Sequence, residues 1–310
     1  MSNVGIGAGG VIGIAQEVTV GTYVAPTKFF PVRSENLSVS QTTHKRRVIR
    51  GTADALGQKR VSQEVGGDIV MEALHDVLPY FLYAGRWSIL KSGAGPYTYA
   101  ATPSDVACLS DGETLSITVV RNGVVFGYTG CVVSSMELSI DDEGIMASSF
   151  SIIGLDEAVQ SAPTASWPSI EPFGNTEYTV EIDDGAVTDF DSWSFSVDNS
   201  GEAQYRIDGN LTAQYIKFGE RTSTLSVSRD FINRTDYDAF KALTAQKLEL
   251  TASDATHSIY AEIPVAYKQS YEVGLSSQGD LIMGQIEYEG VYDATVGGSA
   301  TLTVITTEDI

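Results

Sequence analysis

Six segments of this chain alternate apolar and polar residues with a period of two: LSVSQ (37–41), TLSITVV (114–120), MELSI (136–140), WSFSV (193–197), TLSVS (224–228) and GQIEYEG (284–290). That period sends successive side chains to opposite faces of an extended strand, one toward a core and one toward water. Half-buried strands of this kind belong to antiparallel sheets. Between ITVVR and VVFGY stands Asn122-Gly123, the residue pair that tolerates the two positive φ angles of a type I′ hairpin turn. The acidic runs DDEG (141–144) and DDG (183–185) are expected to close two more hairpins. The fold class is mainly β.

Two short helices are expected beside the strands. One begins at Thr235, with Asp238 three residues on as a capping box and Tyr237, Phe240 and Leu243 on its buried face. The other lies within MEALHDVLPYFLYAG (71–85), where Leu74, Val77, Leu78, Phe81 and Leu82 form an apolar face and Pro79 either kinks the helix or occupies its first turn.

A weak internal repeat organises these elements. Residues 36–51 lie over 194–209 without a gap at a constant offset of 158, matching Ser38 and Val39 with Ser196 and Val197, and Ile49 and Gly51 with Ile207 and Gly209. The ends of the two halves also correspond, MELSIDDEGIMASSFSIIGLDE (136–157) lying beside YEVGLSSQGDLIMGQIEYEGVYD (271–293). The expected organisation is an N-terminal arm (1–30), a first β domain (31–159) with an insertion (85–113), a Pro- and Ser-rich linker (160–175), a second β domain (176–293) and a C-terminal tail (294–310). The glycine-rich arm and the tail VGGSATLTVITTEDI are expected to extend from the domains and add as strands to another subunit.

Composition excludes several functions. The net charge of −21 and pI near 4.3 oppose nucleic-acid binding. No apolar run approaches the ~20 residues of a membrane helix and no basic-then-apolar leader opens the chain, so a soluble cytosolic product is expected. Cys108 and Cys131 have no metal or disulfide spacing and are expected as reduced, partly buried thiols. Gly5, Gly7 and Gly10 match G-x-G-x-x-G, but too little chain precedes them for a strand and VIGIAQEVTV follows where a helix is needed. His44, His75 and His257 stand far apart in the sequence without zinc spacing, and no nucleophile elbow is present. No cofactor, metal or catalytic site is expected.

The order of features resembles the major tail tube proteins of long-tailed bacteriophages. The resemblance lies in the opening GVIGIAQEVTVGTYVAPTKFFPVRSENLSVS, in GGDIVMEALHDVLPYFLYAG followed by a Gly-closed hairpin, and in SSMELSIDDEGIMASSFSIIG. It implies two tandem antiparallel β-sandwich or barrel domains, each with a flanking helix, whose inner strands join around a ring. Rings of this family stack into a tube that conducts DNA. With two domains per chain, the sixfold ring becomes a trimer with pseudo-sixfold symmetry. The resemblance further implies assembly in the host cytoplasm into the virion tail and contacts with further copies of the chain. It also implies a tape measure protein in the lumen, tail terminator and distal tail proteins, and double-stranded DNA passing without specific binding.

Within that picture, alternation nominates Glu137 and Ser139, opposite Met136, Leu138 and Ile140, as lumen-lining. It also nominates Gln285, Glu287 and Glu289, opposite Ile286 and Tyr288. Alternation yields a polar face and leaves open whether that face meets the lumen or outer solvent. Six of the 19 basic residues crowd into 45–60: Lys45, Arg46, Arg47, Arg50, Lys59 and Arg60. They are candidates for contact with an acidic surface of the adjacent ring, a solvated hairpin being the alternative. Two other functions fit a β-rich chain: another virion component, such as a tail terminator or decoration protein, or a carbohydrate-binding β-sandwich.

Overall fold

The computed structural model describes residues 6–140, 144–275 and 281–310. All six alternating segments lie in strands, and every inter-strand pairing is antiparallel. Asn122 (φ 51°) and Gly123 (φ 78°) turn the hairpin between Leu115–Arg121 and Val124–Ile140. Asp183 and Asp184, with φ of 54° and 61°, turn another between Tyr178–Ile182 and Gly185–Val187. The DDEG turn falls mostly on 141–143 and Gly5 on the N-terminal five, outside the described residues.

One sheet of eight strands runs through the whole molecule. From one edge its order is Ser38–Lys45, Gln58–Glu72, Met146–Gly154, the second part of Val124–Ile140, Phe190–Asp198, Thr222–Asp230, Met283–Gly290 and the second part of Ser258–Val273. The two halves of the chain meet at its centre, where Trp193 pairs with Ile140, Phe195 with Leu138 and Val197 with Met136. The register repeats at the offset of 158 read from the sequence. Glu35 faces Ile69 as Trp193 faces Val227, and Val39 faces Val65 as Val197 faces Ser223.

The long strands Val124–Ile140 and Ser258–Val273 leave this sheet at their first halves to build a second layer. Apolar faces of the two layers enclose one contiguous core. In the first half Phe81, on the helix Leu78–Tyr83, stacks on Phe150 at 4.1 Å and meets Phe30 edge-on at 5.8 Å. Pro79 sits in the first turn of that helix, where its missing N–H costs nothing.

Several expectations are corrected. The helix Thr235–Lys241 is capped from outside by Asn233 Oδ1, which accepts from the Thr235 amide at 2.8 Å, so Thr235 is not a capping-box residue. The helix buries no side chain completely, and Leu243 lies beyond it, exposed. TLSITVV is covered on both faces because Val11–Gln16 pairs along it and its Ser116 and Thr118 find hydrogen-bond partners inside. The described parts of both end segments are tied in rather than extended. Val11–Gln16 pairs with its own half, and Thr301–Thr306 fills the slot between Ser258–Glu262 and Tyr97–Pro103 of the 85–113 insertion. Cys131 is buried, its thiol pushed up by desolvation, whereas Cys108 is exposed rather than partly buried.

Histidines separated by 182 positions in the sequence also meet. His75 and His257 stack at 3.9 Å with rings 11° from parallel. His75 Nδ1 lies 3.2 Å from Thr306 Oγ1, and His257 Nδ1 lies 2.9 Å from Asp254 Oδ2. Burial, then the charge of His257, lowers the His75 pKa, against the opposing pull of Asp76 and Asp254 and with a small push from Lys28. The folded state therefore holds His75 neutral while the unfolded chain binds its proton near pH 6.5. This stabilisation is complete above that pH and is lost as pH falls. Asp254 is drawn down to about 2 by its hydrogen bonds from His257 and Thr256 against the opposing effect of burial, so its own contribution fades only in stronger acid.

Two stability predictions follow from the buried polar groups. Glu17, fully buried, accepts from the amides of Gly21 and Gly130 and the hydroxyls of Thr114 and Ser116 at 2.7–2.9 Å, pinning the N-terminal strand to its hairpin. Glu17→Ala orphans these donors and should cost about 3–5 kcal/mol in urea denaturation; a loss below ~1 kcal/mol refutes the staple. His75→Gln should flatten the fall in melting temperature between pH 7 and 5 that the wild type shows, and a parallel fall in both refutes the histidine linkage.

Candidate functional site

Strand pairing decides which side chains share a face, and it gathers all five lumen candidates on one side of the eight-stranded sheet. One cross-strand row runs Val70, Ser149, Glu137, Ser196, Thr224, Glu289, Tyr267. The next runs Glu72, Ala147, Ser139, Ser194, Ser226, Glu287, Ser270. Gln285 continues the face with Ser192, Ser228 and Glu272 on one side, and Asp68, Ser151, Ser135, Asp198 and Thr222 lie on the other. The opposite face carries Met136, Leu138, Phe150, Phe195, Leu225, Val227, Ile286 and Tyr288, all buried.

None of these four rows contains a lysine or arginine. The polar face is a serine and threonine lawn studded with carboxylates, and several of its groups are held in place. Ser194 Oγ donates to Glu137 Oε1 at 2.7 Å, Gln285 Nε2 donates to Ser228 Oγ at 2.8 Å, and Ser270 Oγ reaches Glu287 at 3.5 Å. Glu137, Gln285 and Glu287 are exposed, Ser139 and Glu289 half-buried. Glu72, Asp68, Asp198 and Glu272 were missed from the sequence. Their face depends on partners far along the chain, although alternation of WSFSV with Asp198 was a usable signal.

The six basic candidates occupy a separate surface. Ser38–Lys45 and the start of Gln58–Glu72 form a hairpin in which His44 faces Lys59 and Thr43 faces Arg60. Arg46 closes the loop by exchanging backbone bonds with Leu56 and Gly57 at 3.0 and 2.9 Å. Lys45, Arg46, Arg47, Arg50, Lys59 and Arg60 are all exposed, and none forms an ion pair among the described residues. An unpaired cluster of this size on a chain of net charge −21 is a strong local field reversal.

No group of three or more His, Cys, Asp or Glu side chains converges to hold a metal among the described residues. The stacked His75–His257 pair is engaged with Thr306 and Asp254. No helix is long and apolar enough to cross a membrane among the described residues.

The two free edges of the eight-stranded sheet complete the site. Ser38–Lys45 pairs only with Gln58–Glu72, and 267–273 pairs only with Met283–Gly290, among the described residues. These edges are the repeat equivalents of the two strands that join at the centre of the same sheet. A chain with such a pair of edges can add copies of itself side by side.

A search of curated proteins gives no match to the chain. A family model described as phage tail tube protein matches residues 7–302, nearly its whole length. With its antiparallel β architecture, this chain belongs to the phage tail tube protein family, whose members are structural proteins of the virion tail.

Proposed function

We propose that three copies form a ring with pseudo-sixfold symmetry and that stacked rings make a hollow tube whose inner wall is the serine- and carboxylate-rich sheet face. The observation that carries this reading is the central junction, where strand 132–140 of the first half meets Phe190–Asp198 of the second. The repeat turns that junction into a template. At the offset of 158, Ser196, Val197 and Asp198 correspond to Ser38, Val39 and Ser40. Through their sheet partners Met136 and Tyr271 also correspond, since each faces the strand that pairs with Ile69 or Val227. The pairing of Ser196 with Glu137, Val197 with Met136 and Asp198 with Ser135 then dictates the contact between copies: Ser38 with Glu272, Val39 with Tyr271 and Ser40 with Ser270.

Three eight-stranded sheets joined in this way give about 24 strands, which at roughly 4.8 Å spacing and 40° tilt close on a wall about 48 Å across. That is too wide for side chains to fill, so the cylinder is open. Glu137, Glu287, Glu289 and their neighbours then face the channel, where their charge repels the phosphates of DNA in transit and keeps the duplex from adhering. A tape measure protein occupies the same channel during assembly in the host cytoplasm. Tail terminator and distal tail proteins close the two ends. The basic hairpin projects from the ring and meets an acidic surface of its neighbour.

In a Cys108→Ser background, S40C/S270C should cross-link purified assemblies into a ladder that ends at a covalent trimer. S135C/D198C should form the equivalent bond within one chain. A ladder ending at six copies overturns the trimer, and no ladder from assembled tubes overturns the register. Neutralising Arg46 and Arg47 to Gln should shorten tubes seen by electron microscopy while the subunit keeps its melting temperature; tubes of normal length refute the contact role.

A further inference from the structure

Two loops carry a bare isoleucine at the same repeat position. Ile49 stands in the loop 46–57 and Ile207 in the loop 205–214, at the offset of 158, and their side chains are 107% and 109% exposed. One exposed isoleucine is ordinary. Two at equivalent sites, each next to arginines (Arg47 and Arg50; Arg206), ask for a common explanation. A neighbour within the ring does not supply it. The second-half loop already lies on the first half, where Tyr205 Oη donates to the Gln63 carbonyl at 3.1 Å and the Gln63 amide donates to the Leu211 carbonyl at 2.8 Å. Ile207 remains uncovered all the same, so what covers it comes from outside the ring.

Two apolar hollows open at the other ends of the same strands. The first, about 870 Å³, is lined by Ile12, Phe30, Val32, Val119 and Trp167, with Arg33 and Arg121 among its polar residues. The second, about 320 Å³, is lined by Ile140, Tyr178, Val180, Phe190 and Trp193, with Asp191 among them. Val32 and Phe190 correspond at the repeat offset, as do Glu35, also in the first hollow, and Trp193. From Ser34 to Lys45 the chain spans roughly 35 Å if extended, whereas in the second half the strand Phe190–Asp198 reaches the loop 205–214 through a turn at 199–201, where Ser200 has φ 49°. Each half thus presents a knob at one end and a hollow at the other. Such a contact is head-to-tail and adds further rings without limit.

Charge distinguishes the two knobs. The first-half loop and its flanks carry Lys45, Arg46, Arg47, Arg50, Lys59 and Arg60 against Asp54, whereas the second balances Glu202 and Asp208 with Arg206 and Lys217. The charged side chain in the lining of the second hollow is the exposed Asp191. In the first hollow Arg121 is paired with Glu35 and Arg33 with Glu72, the latter at 3.9 Å, so its charges are balanced and no carboxylate of its lining is left for a basic loop.

We propose that Ile49 and Ile207 seat in the hollows of the next ring, the basic first-half loop taking the acidic second-half hollow and the near-neutral loop taking the other. This rests on the tube reading above and adds a rule to it. Hydrophobic insertion supplies affinity, and charge matching selects half of the azimuthal positions that a pseudo-sixfold ring offers.

The test compares wild type, I49D/I207D, D191K, R46E/R47E and D191K/R46E/R47E by sedimentation and electron microscopy, with the S40C/S270C cross-link as a readout of rings. Both isoleucines are exposed, so I49D/I207D should keep its melting temperature and its covalent trimer while pelletable tube mass falls at least tenfold. D191K and R46E/R47E should each lose tubes, and the combined charge swap should recover most of them. Wild type that forms neither rings nor tubes overturns the tube reading itself. Wild-type tubes matched by I49D/I207D tubes overturn the knob contact alone, and a charge swap that rescues nothing overturns the matching rule.

Discussion

A β-strand must satisfy its backbone on two sides, and the join of 135–140 to 193–198 is where this chain does so by pairing one half with the other. The rest of the architecture depends on it. The join makes one sheet of two four-stranded sets, aligns their polar faces and turns both apolar faces toward a common core. It also fixes which edges stay free, because the strands that meet at the centre have repeat equivalents at the two ends. In the proposed ring, a duplicated chain of this design would contain half of its assembly contacts in covalently linked form.

Linking the halves in one chain has an energetic side. An interface formed within a chain avoids the translational and rotational cost that association of separate subunits carries. It also frees the halves to diverge. The first half keeps its basic hairpin and the hairpin Trp87–Ser92/Tyr97–Pro103, while the second presents acidic residues beside Phe190 and Trp193. Identical domains could not carry such differences at neighbouring positions of the proposed ring.

Much of the strand map was legible because alternation is a local property. Met136, Leu138, Ile286 and Tyr288 are buried and their neighbours Glu137 and Glu287 exposed, as a period of two requires. The turn at Asn122-Gly123 and the helix carrying Phe81 were legible for the same reason. Features that depend on partners distant in the chain were not. Glu72 and Asp198 share a face with Glu137 only through strand register. The stacking of His75 on His257 and the burial of both faces of 115–119 likewise arise from tertiary contact. At Thr235 a local rule lost to another local residue, since Asn233, two positions earlier, accepts the Thr235 amide.

The strand Thr301–Thr306 bonds on one side to Ser258–Glu262 and on the other to Tyr97–Pro103. Its second partner is therefore made about two hundred residues before it. At ~5–20 residues per second of synthesis, the hairpin 87–103 waits on the order of 10–40 s for the strand that covers its edge. During that interval the strand that covers this edge among the described residues does not yet exist, and the first half lacks that part of its outer layer. The clasp between the halves thus acts as a timer: the hairpin 87–103 acquires its finished edge only after residue 306 has been translated.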